Sequence, residues 1–239
     1  AKKRIMDMGE EKWRVKNIGF TANDLIKKNF YESEKNLINK YKINKKFPLI
    51  IFTQHPIPSE LKFTEFQLQQ SLTAIKQLLK KNVQVILTFP NNDVGSKKIL
   101  KKLKIFSRRN STVKLFKSLG RHDYHGLLSL KKKGWNIIVA GNSSSGIKET
   151  PFFKCPVVNI GSRQDCRLRG SNVLDVGYNS KKIYRTIIKS IYDKRFVQKC
   201  KRTDNPYGGG QASLRFMDYI KKLTFTKKTI LRKKTTLKY

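Results

Sequence analysis

Small and polar residues stand together in the middle of the chain, in the turn Gly-Asn-Ser-Ser-Ser-Gly at 141–146. The turn follows an apolar run typical of a strand and precedes a short stretch interpreted as a helix. Small side chains let a ligand approach the backbone, and a helix N-terminus offers free N–H groups to an anion. The hydroxyls of Ser143 and Ser144 add donors. The turn therefore indicates phosphate binding; the alternative is a polar turn whose serines cap the helix.

Glu149 follows the turn closely and is interpreted with it. A carboxylate directed toward the same crevice would accept hydrogen bonds from ribose hydroxyls; the alternative is a solvated helix carboxylate. Pro151 removes a backbone hydrogen bond, which predicts a short or kinked helix. The turn has neither the Gly-Lys-[Ser/Thr] of the Walker loop nor the Gly-x-Gly-x-x-Gly spacing of a dinucleotide-binding loop.

A histidine follows the apolar run at 47–53, in the sequence Gln54-His55-Pro56. Such a histidine can donate to a phosphate or move a proton near neutral pH, which makes His55 the catalytic candidate. The alternative is a structural role. The other two histidines, His122 and His125, fall on a predicted helix and are interpreted as structural or surface residues.

Two further polar segments follow predicted strands, and a third precedes the last predicted helix. Asn91 belongs to the segment 89–96, which is either a ligand loop or a turn into a capped helix. Arg163 can form two parallel hydrogen bonds with a phosphate or a carboxylate; the alternative is a surface ion pair with Asp165. The glycine-rich segment 205–211 is either a ligand loop or a flexible connection.

Alternating elements are needed to bring these segments together. Short β-branched runs predict strands, and they lie at 47–53, 83–89, 113–116, 136–140, 156–160 and 172–176. The stretches between them have helical character, and this alternation predicts an α/β fold: a Rossmann-like, mostly parallel sheet with helices on both faces. Ligands of such sheets bind at the carboxyl ends of the strands, where the polar segments fall.

The predicted helices differ in length. One is capped by Ser59 and carries Phe63 and Phe66 on its apolar face, and a short one begins at Ser96. Others lie near 124–130, after the serine turn, and at 180–192 and 211–223.

The charge balance is the unusual bulk property. Lys and Arg number 53 against 16 Asp and Glu, a net charge of +37, which by itself suggests a nucleic-acid or anionic-membrane binder. Arg contributes 13 of the 53, leaving 40 Lys spread along the chain in twos and threes. We interpret the charge as a compositional bias on solvated faces that favours anionic ligands. A basic nucleic-acid-binding protein, without a recognised reading motif, is the alternative from another class.

The three cysteines show neither zinc-type spacing nor a disulfide framework, so no metal ion is predicted and a reducing cytoplasm fits best. No apolar run approaches the roughly 18 residues needed to span a bilayer. The chain starts Ala-Lys-Lys-Arg, without an initiator Met or the apolar core of a signal peptide, and is interpreted as a piece of a longer protein.

Taken in order, the motifs resemble those of the hydrolysing UDP-N-acetylglucosamine 2-epimerases of the sialic-acid and legionaminic-acid pathways. The resemblance runs from about residue 11 to residue 223 and rests on Gln-His-Pro at 54–56, Phe-Pro-Asn with Gly-Ser at 89–96, Gly-Asn-Ser-Ser-Ser-Gly-Ile at 141–147, Glu149, Pro-Val-Val-Asn-Ile-Gly-Ser-Arg-Gln at 156–164, Arg169-Gly170 and Asn-Pro-Tyr-Gly at 205–208. Non-hydrolysing epimerases carry an Asp-Ser-Gly-Gly-type turn instead, so the serine turn favours the hydrolysing branch.

The resemblance implies the C-terminal domain of a glycosyltransferase-B-like two-domain fold, and conversion of UDP-N-acetylglucosamine to UDP and N-acetylmannosamine through a glycal-like intermediate. By matching motif, Ser143 and Ser144 would hold phosphate and Glu149 would hold the ribose. His55, Asn91 and Arg163 would line the UDP side of the cleft. No cofactor or metal is implied.

The expected domains are the end of an N-terminal domain at 1–20, a UDP-binding domain at 21–223 and a basic tail at 224–239. Most of the family's N-terminal domain, which supplies the acidic residues for the sugar's protons, is absent. The chain is therefore expected to bind UDP without turning over substrate alone. The glycine-rich loop departs from the family's Tyr-Gly-Asp-Gly-Asn at Gly209 and Gln211, which leaves its contacts open. A UDP-diacetamido-trideoxy sugar is the alternative substrate, and a homo-oligomer stays open.

Overall fold

A computed structural model describes residues 1–226 and residue 236. These residues group into two compact units, Asn29–Pro206 and Ala1–Lys28 with Tyr207–Tyr239. Most of the predicted basic tail at 224–239 lies outside the described residues. The predicted domain boundaries after residues 20 and 223 stay predictions.

The unit Asn29–Pro206 is built on a six-stranded parallel sheet with the order β3-β2-β1-β4-β5-β6. Its strands are β1 (Leu49–Thr53), β2 (Gln84–Thr88), β3 (Val113–Phe116), β4 (Ile137–Gly141), β5 (Val157–Ile160) and β6 (Val173–Val176). Parallel sheets are covered on both faces, and the central strands β1, β4 and β5 are accordingly almost wholly buried. The predicted Rossmann-like sheet is confirmed.

Helices alternate with the strands, as the spacing of apolar residues indicates. They are α1 (Lys2–Asp7), α2 (Ala22–Lys27), α3 (Glu34–Tyr41), α4 (Thr64–Leu79), α5 (Ser96–Arg109), α6 (Gly120–Ser129), α7 (Ser145–Lys148), α8 (Thr150–Phe153), α9 (Ser180–Tyr192), α10 (Lys194–Lys201) and α11 (Ala212–Ile220). Helix α5 is longer than the short helix predicted there, whereas α9 has the predicted bounds.

Both faces of the sheet are covered. On one face, alternate strand residues such as Ile50, Ile138 and Val158 form a single buried cluster with α4, α5 and α9. On the other face, α7 contacts β4 and β5, and Gly146 lies close to the side chains of Val139 and Val157. Because successive side chains of a strand point to opposite faces, each strand contributes to both layers.

The unit formed by Ala1–Lys28 and Tyr207–Tyr239 is small and helical in its described part. Asp24 of α2 accepts hydrogen bonds from the backbone N–H groups of Ala212 (2.9 Å) and Ser213 (2.7 Å). This carboxylate caps α11, whose own N-cap residue makes no side-chain bond. No helix within the described residues is long and apolar enough to cross a membrane.

The helix after β1 differs from its prediction. Ser59 lies in a 3-10 segment, Pro58–Phe63, and does not cap α4, which begins at Thr64. Phe63 and Phe66 are exposed, so the predicted apolar face is wrong at its start. The inward positions of the first turns hold polar residues instead, because Ser71 donates to the buried Gln54 and Gln67 donates to Glu60.

Candidate functional site

The polar segments meet where the strand order reverses. β1 lies beside β4 at the centre of the sheet, with β2 and β3 on one side and β5 and β6 on the other. The chain therefore leaves the carboxyl ends of β1 and β4 in opposite directions, which opens a crevice of the kind that holds ligands in α/β sheets.

Gly141 ends β4 in a conformation that requires glycine. Its φ is +115°, and a Cβ would lie 2.0 Å from the carbonyl oxygen of Thr53 on β1. The two strand ends approach each other closely here, and the chain turns immediately into the serine segment. The tight turn predicted at this point is confirmed.

Asn142 joins the loops that follow β1 and β4. Its backbone N–H donates to Thr53 (3.0 Å), while its side chain accepts from the N–H of His55 (2.7 Å) and donates to the carbonyl of His55 (2.9 Å). The side chain is wholly buried, so these bonds satisfy groups that have no access to water. Sequence reasoning placed Asn142 in the motif without giving it a role.

His55 is held as a neutral hydrogen-bond donor. Its Nδ1 accepts from the backbone N–H of Asn91 (2.9 Å), so the ring proton belongs on Nε2. Burial, together with the positive charge of Arg163, lowers the pKa of His55 to about 4. The geometry favours donation to a ligand over proton transfer near neutral pH, because the pKa lies far below that range.

The side chain of Asn91 offers the site a hydrogen-bond acceptor, in addition to the backbone N–H that bonds His55. Its side-chain amide donates to Asp93, while its carbonyl oxygen Oδ1 is buried and has no partner among the described residues. A buried acceptor without a partner costs free energy, so this oxygen is suited to receive a donor from a ligand.

Arg163 lies in the loop after β5 and reaches the same crevice. Its Nη1 donates to the backbone carbonyl of Asn142 (3.1 Å), which also accepts from Gln164 (2.7 Å). The sequence alternative, an ion pair with Asp165, is wrong: Asp165 pairs with Arg169 instead (3.7 Å). Within the described residues Arg163 has no carboxylate within ion-pair distance, so its charge stays available to an anion.

A glycine at the end of β5 positions Arg163. Gly161 has a φ of +79°, and a Cβ there would meet the hydroxyl of Tyr178 at 2.1 Å. The tyrosine therefore packs directly over the glycine. Its burial raises the pKa of Tyr178 to about 12, which keeps the hydroxyl neutral beside the site.

The serine turn leads into the four-residue helix α7 without a side-chain capping bond. The hydroxyls of Ser143 and Ser145 lie 2.9 Å apart and bond to each other, and Ser144 precedes α7 without a side-chain capping bond. The capping alternative is wrong for Ser144. All three serines are partly exposed.

Glu149 lies between α7 and α8, at the break that Pro151 was expected to cause. Its carboxylate is mostly buried and paired, unlike the solvated helix carboxylate of the sequence alternative: Oε2 lies 2.6 Å from Nε2 of His125, and the side chain is 14% exposed. His125 is fully buried on α6, whereas His122 is on the surface. No local pattern links positions 125 and 149, so sequence reasoning missed this pair.

The predicted site residues thus fall into two groups. His55, Asn91 and Arg163 are linked through their own hydrogen bonds and through Asn142, from which Ser143 and Ser144 continue. Glu149 is held separately by His125. The arrangement combines anion-binding groups at the strand ends with a carboxylate acceptor on the adjacent helices.

One set of side chains has the donor chemistry of a metal site. Single ligand atoms of Glu32, His122 and Asp123 lie within 4.8 Å of one another, but Asp123 already accepts from Lys40 and Tyr41. None of these residues belongs to the crevice described above.

Comparison with known proteins places the chain among nucleotide-sugar epimerases. Residues 1–221 match the family model for UDP-N-acetylglucosamine 2-epimerase. The chain is 37% identical over 179 residues to the GDP/UDP-N,N'-diacetylbacillosamine 2-epimerase (hydrolyzing) of Campylobacter jejuni, covering 74% of this chain and 45% of that protein. It is 30% identical over 224 residues to the UDP-N,N'-diacetylbacillosamine 2-epimerase (hydrolyzing) of Legionella pneumophila, covering 92% and 55%. The chain spans about half the length of these relatives.

Solved structures support the same fold. A UDP-GlcNAc 2-epimerase from Neisseria meningitidis, solved with UDP-GlcNAc bound, matches with a TM-score of 0.72 at 18% identity, covering 93% of this chain and 59% of that one. The expected glycosyltransferase-B-like fold is confirmed, as is the resemblance that the sequence motifs carry. With 221 residues matched by one family model, the chain belongs to the UDP-N-acetylglucosamine 2-epimerase family.

Proposed function

We propose that this chain is the UDP-binding half of a hydrolysing UDP-sugar 2-epimerase. The observation that carries the proposal is the cluster at the ends of β1, β4 and β5, which Asn142 connects. It combines a neutral histidine donor, partly exposed serines and a guanidinium that has no carboxylate partner among the described residues. Such groups bind a diphosphate, because they offer donors and positive charge in a partly dehydrated crevice.

In the proposed reaction, the sugar loses its C2 proton and UDP leaves, which gives a glycal-like intermediate; water then adds to this intermediate and yields the 2-epimer. The first step breaks the bond between the sugar's anomeric carbon and the diphosphate. Negative charge grows on the diphosphate as this bond breaks. The Nε2–H of His55 and the guanidinium of Arg163 would stabilise that charge, while Ser143 and Ser144 hold the phosphates. His55 acts as a fixed donor here, consistent with a pKa of about 4.

The remaining two site residues would orient the nucleoside. Asn91 supplies an acceptor oxygen without a partner among the described residues, and Glu149 supplies a carboxylate for the ribose hydroxyls. The acid and base that act on the sugar would come from the preceding half of the protein.

The sugar is either UDP-N-acetylglucosamine, with N-acetylmannosamine as product, or a UDP-2,4-diacetamido-2,4,6-trideoxy sugar. The diacetamido sugar is favoured because the Campylobacter and Legionella relatives are both diacetylbacillosamine 2-epimerases. In the protein extended to the length of these relatives, release of UDP from each sugar nucleotide would decide between them. We expect faster release from the diacetamido sugar; turnover of UDP-N-acetylglucosamine alone would contradict that preference.

The binding proposal is tested by calorimetric titration of the 239-residue chain with UDP at about 0.2 M salt, where nonspecific attraction to phosphates is reduced. We expect saturable binding with one site per chain. Absence of heat from a folded sample, or of thermal stabilisation by UDP, would contradict the proposal.

A further inference from the structure

His125 and Glu149 form a buried pair that the proposed reaction leaves unexplained. They lie 24 positions apart in the chain, on α6 and between α7 and α8, yet their side-chain atoms Nε2 and Oε2 are 2.6 Å apart. A carboxylate can only accept, so Nε2 of His125 is the donor in this bond.

The imidazole is held rigidly by its surroundings. His125 is fully buried, and its ring packs against those of Tyr124 (centroids 6.1 Å apart) and Phe153 (5.8 Å). The next residue, Gly126, lies so close to the backbone of Glu32 that a Cβ would come within 2.8 Å of its carbonyl oxygen. Helix α6 therefore has little freedom to move the ring away from Glu149.

The backbone of Glu149 is hydrogen-bonded, because its N–H donates to Ser145 (3.0 Å) and its carbonyl accepts from Phe152 (3.1 Å), but these bonds do not orient the carboxylate. α7 and α8 have four residues each, and Glu149 stands at the break between them. Nδ1 of His125 is buried without a partner among the described residues, so within that part of the chain the ring makes its side-chain hydrogen bond to Glu149 alone. The imidazole thus determines which way the carboxylate points.

The bond also gives the two carboxylate oxygens of Glu149 different environments. Oε2 is occupied by His125, whereas no described residue hydrogen-bonds Oε1, and part of the side chain stays exposed. An acceptor oxygen in a fixed orientation discriminates against a ligand that lacks the matching hydroxyl, since the acceptor is then left unpaired.

We propose that His125 is a positioning residue that orients Glu149 toward the ribose hydroxyls, so that preference for ribose over deoxyribose depends on the imidazole. This inference rests on the proposed function, in which Glu149 holds the ribose. A purely structural pair would stabilise the fold without affecting the preference for ribose over deoxyribose.

The test compares the dissociation constants of UDP and 2'-deoxyuridine diphosphate by calorimetry. A charge-assisted hydrogen bond corresponds to a wild-type preference of about tenfold for UDP. In His125→Phe the preference should fall to about twofold or less, mainly through weaker UDP binding, because phenylalanine has no donor.

Two amide variants separate the loss of the hydrogen-bond donor from the change in side-chain size at position 125. Glutamine places its side-chain nitrogen near the position of Nε2, whereas asparagine falls short of Glu149. His125→Gln should retain most of the UDP preference, and His125→Asn should lose it even if His125→Phe does not fold. His122→Phe, on the exposed side of the same helix, should leave the preference unchanged.

The outcomes separate the two proposals. Wild-type protein that does not bind UDP would overturn both the proposed function and this inference. Wild-type protein that prefers UDP, with the same preference in folded His125→Asn and His125→Phe, would overturn the positioning role of His125 alone. Loss in Asn and Phe with retention in Gln would support it.

Discussion

The two ends of the proposed nucleotide site hold their side chains by different means. On the diphosphate side, His55 and Arg163 are bonded to backbone groups and to Asn142, and the guanidinium pairs with no carboxylate in the described part of the chain. On the ribose side, a carboxylate is bonded to an imidazole from another helix. The first side depends on glycine-bounded strand ends, whereas the second depends on how α6 packs against α8.

This difference determines which variants affect each side. A change at a strand end should affect anion binding and the fold together, because the backbone itself positions the donors. A change at His125 should affect the preference for UDP over its deoxyribose analogue more than it affects the stability of the fold. The following predictions probe the diphosphate side, from the largest expected effect to the smallest.

Gly141→Ala should have the largest effect, destabilising the fold by about 4 kcal/mol or more. A Cβ would overlap the carbonyl oxygen of Thr53, and the φ of +115° disfavours alanine. Thermal unfolding measures the change. Gly177→Ala is the matched control, since a Cβ there meets nothing within 4 Å; equal destabilisation by both changes would contradict the close approach of β1 and β4.

Arg163→Ala should weaken UDP binding about 100-fold, about 3 kcal/mol, because a charge-assisted contact to the diphosphate is lost. The chain should stay folded, since Arg163 makes no ion pair with a carboxylate among the described residues. Arg185→Ala on α9 removes the same charge from an exposed position. If both variants weaken UDP binding equally, the guanidinium acts only through net charge.

The pH dependence of stability tests the environment of His55. Its pKa falls from 6.5 to about 4 on folding, so between these values the unfolded state binds more protons than the folded state. Stability should therefore decrease as pH falls from about 6.5 toward 4, by up to about 3 kcal/mol from this residue. Denaturant unfolding at several pH values should show a smaller decrease in His55→Gln than in wild type. An unchanged profile in that variant, with His122→Gln as the exposed control, would contradict the buried neutral state.

The double change Ser143→Ala and Ser144→Ala should raise the dissociation constant for UDP about tenfold, because two neutral hydroxyl donors are lost. Unfolding should change by less than about 1 kcal/mol, since Ser144 caps no helix. Calorimetry with UDP checks this, and unchanged affinity would remove the serines from the phosphate site.

The diphosphate side could be predicted from sequence because each of its residues follows a strand. Alternation of apolar runs predicts a parallel sheet, and a parallel sheet brings the residues after its strands to one edge. That rule placed His55, Asn91 and Arg163 together without knowledge of any contact. It could not show that Asn142 connects them, because the bonds of Asn142 depend on the turn at Gly141.

The ribose side was only half predictable. Glu149 follows from its place after the serine turn, but its partner His125 was interpreted as structural, since nothing local relates two residues on different helices. Helices α1, α2, α3 and α10 were missed as well. The prediction for α4 was wrong at Phe63 and Phe66, which are exposed. Their helical spacing suggested an apolar face, but the first turns of α4 face Gln54 after β1, and a polar residue, Ser71, bonds to it there.

The most direct test of the central claim is a comparison of three ligands. UDP, inorganic diphosphate and uridine are titrated into the wild-type chain at about 0.2 M salt, with the dissociation constants measured by calorimetry. If the anion-binding strand ends and the helix carboxylate form one nucleotide site, UDP should bind more tightly than either part by at least about tenfold. Equal affinity for UDP and inorganic diphosphate would show that charge alone attracts the ligand and would contradict the account.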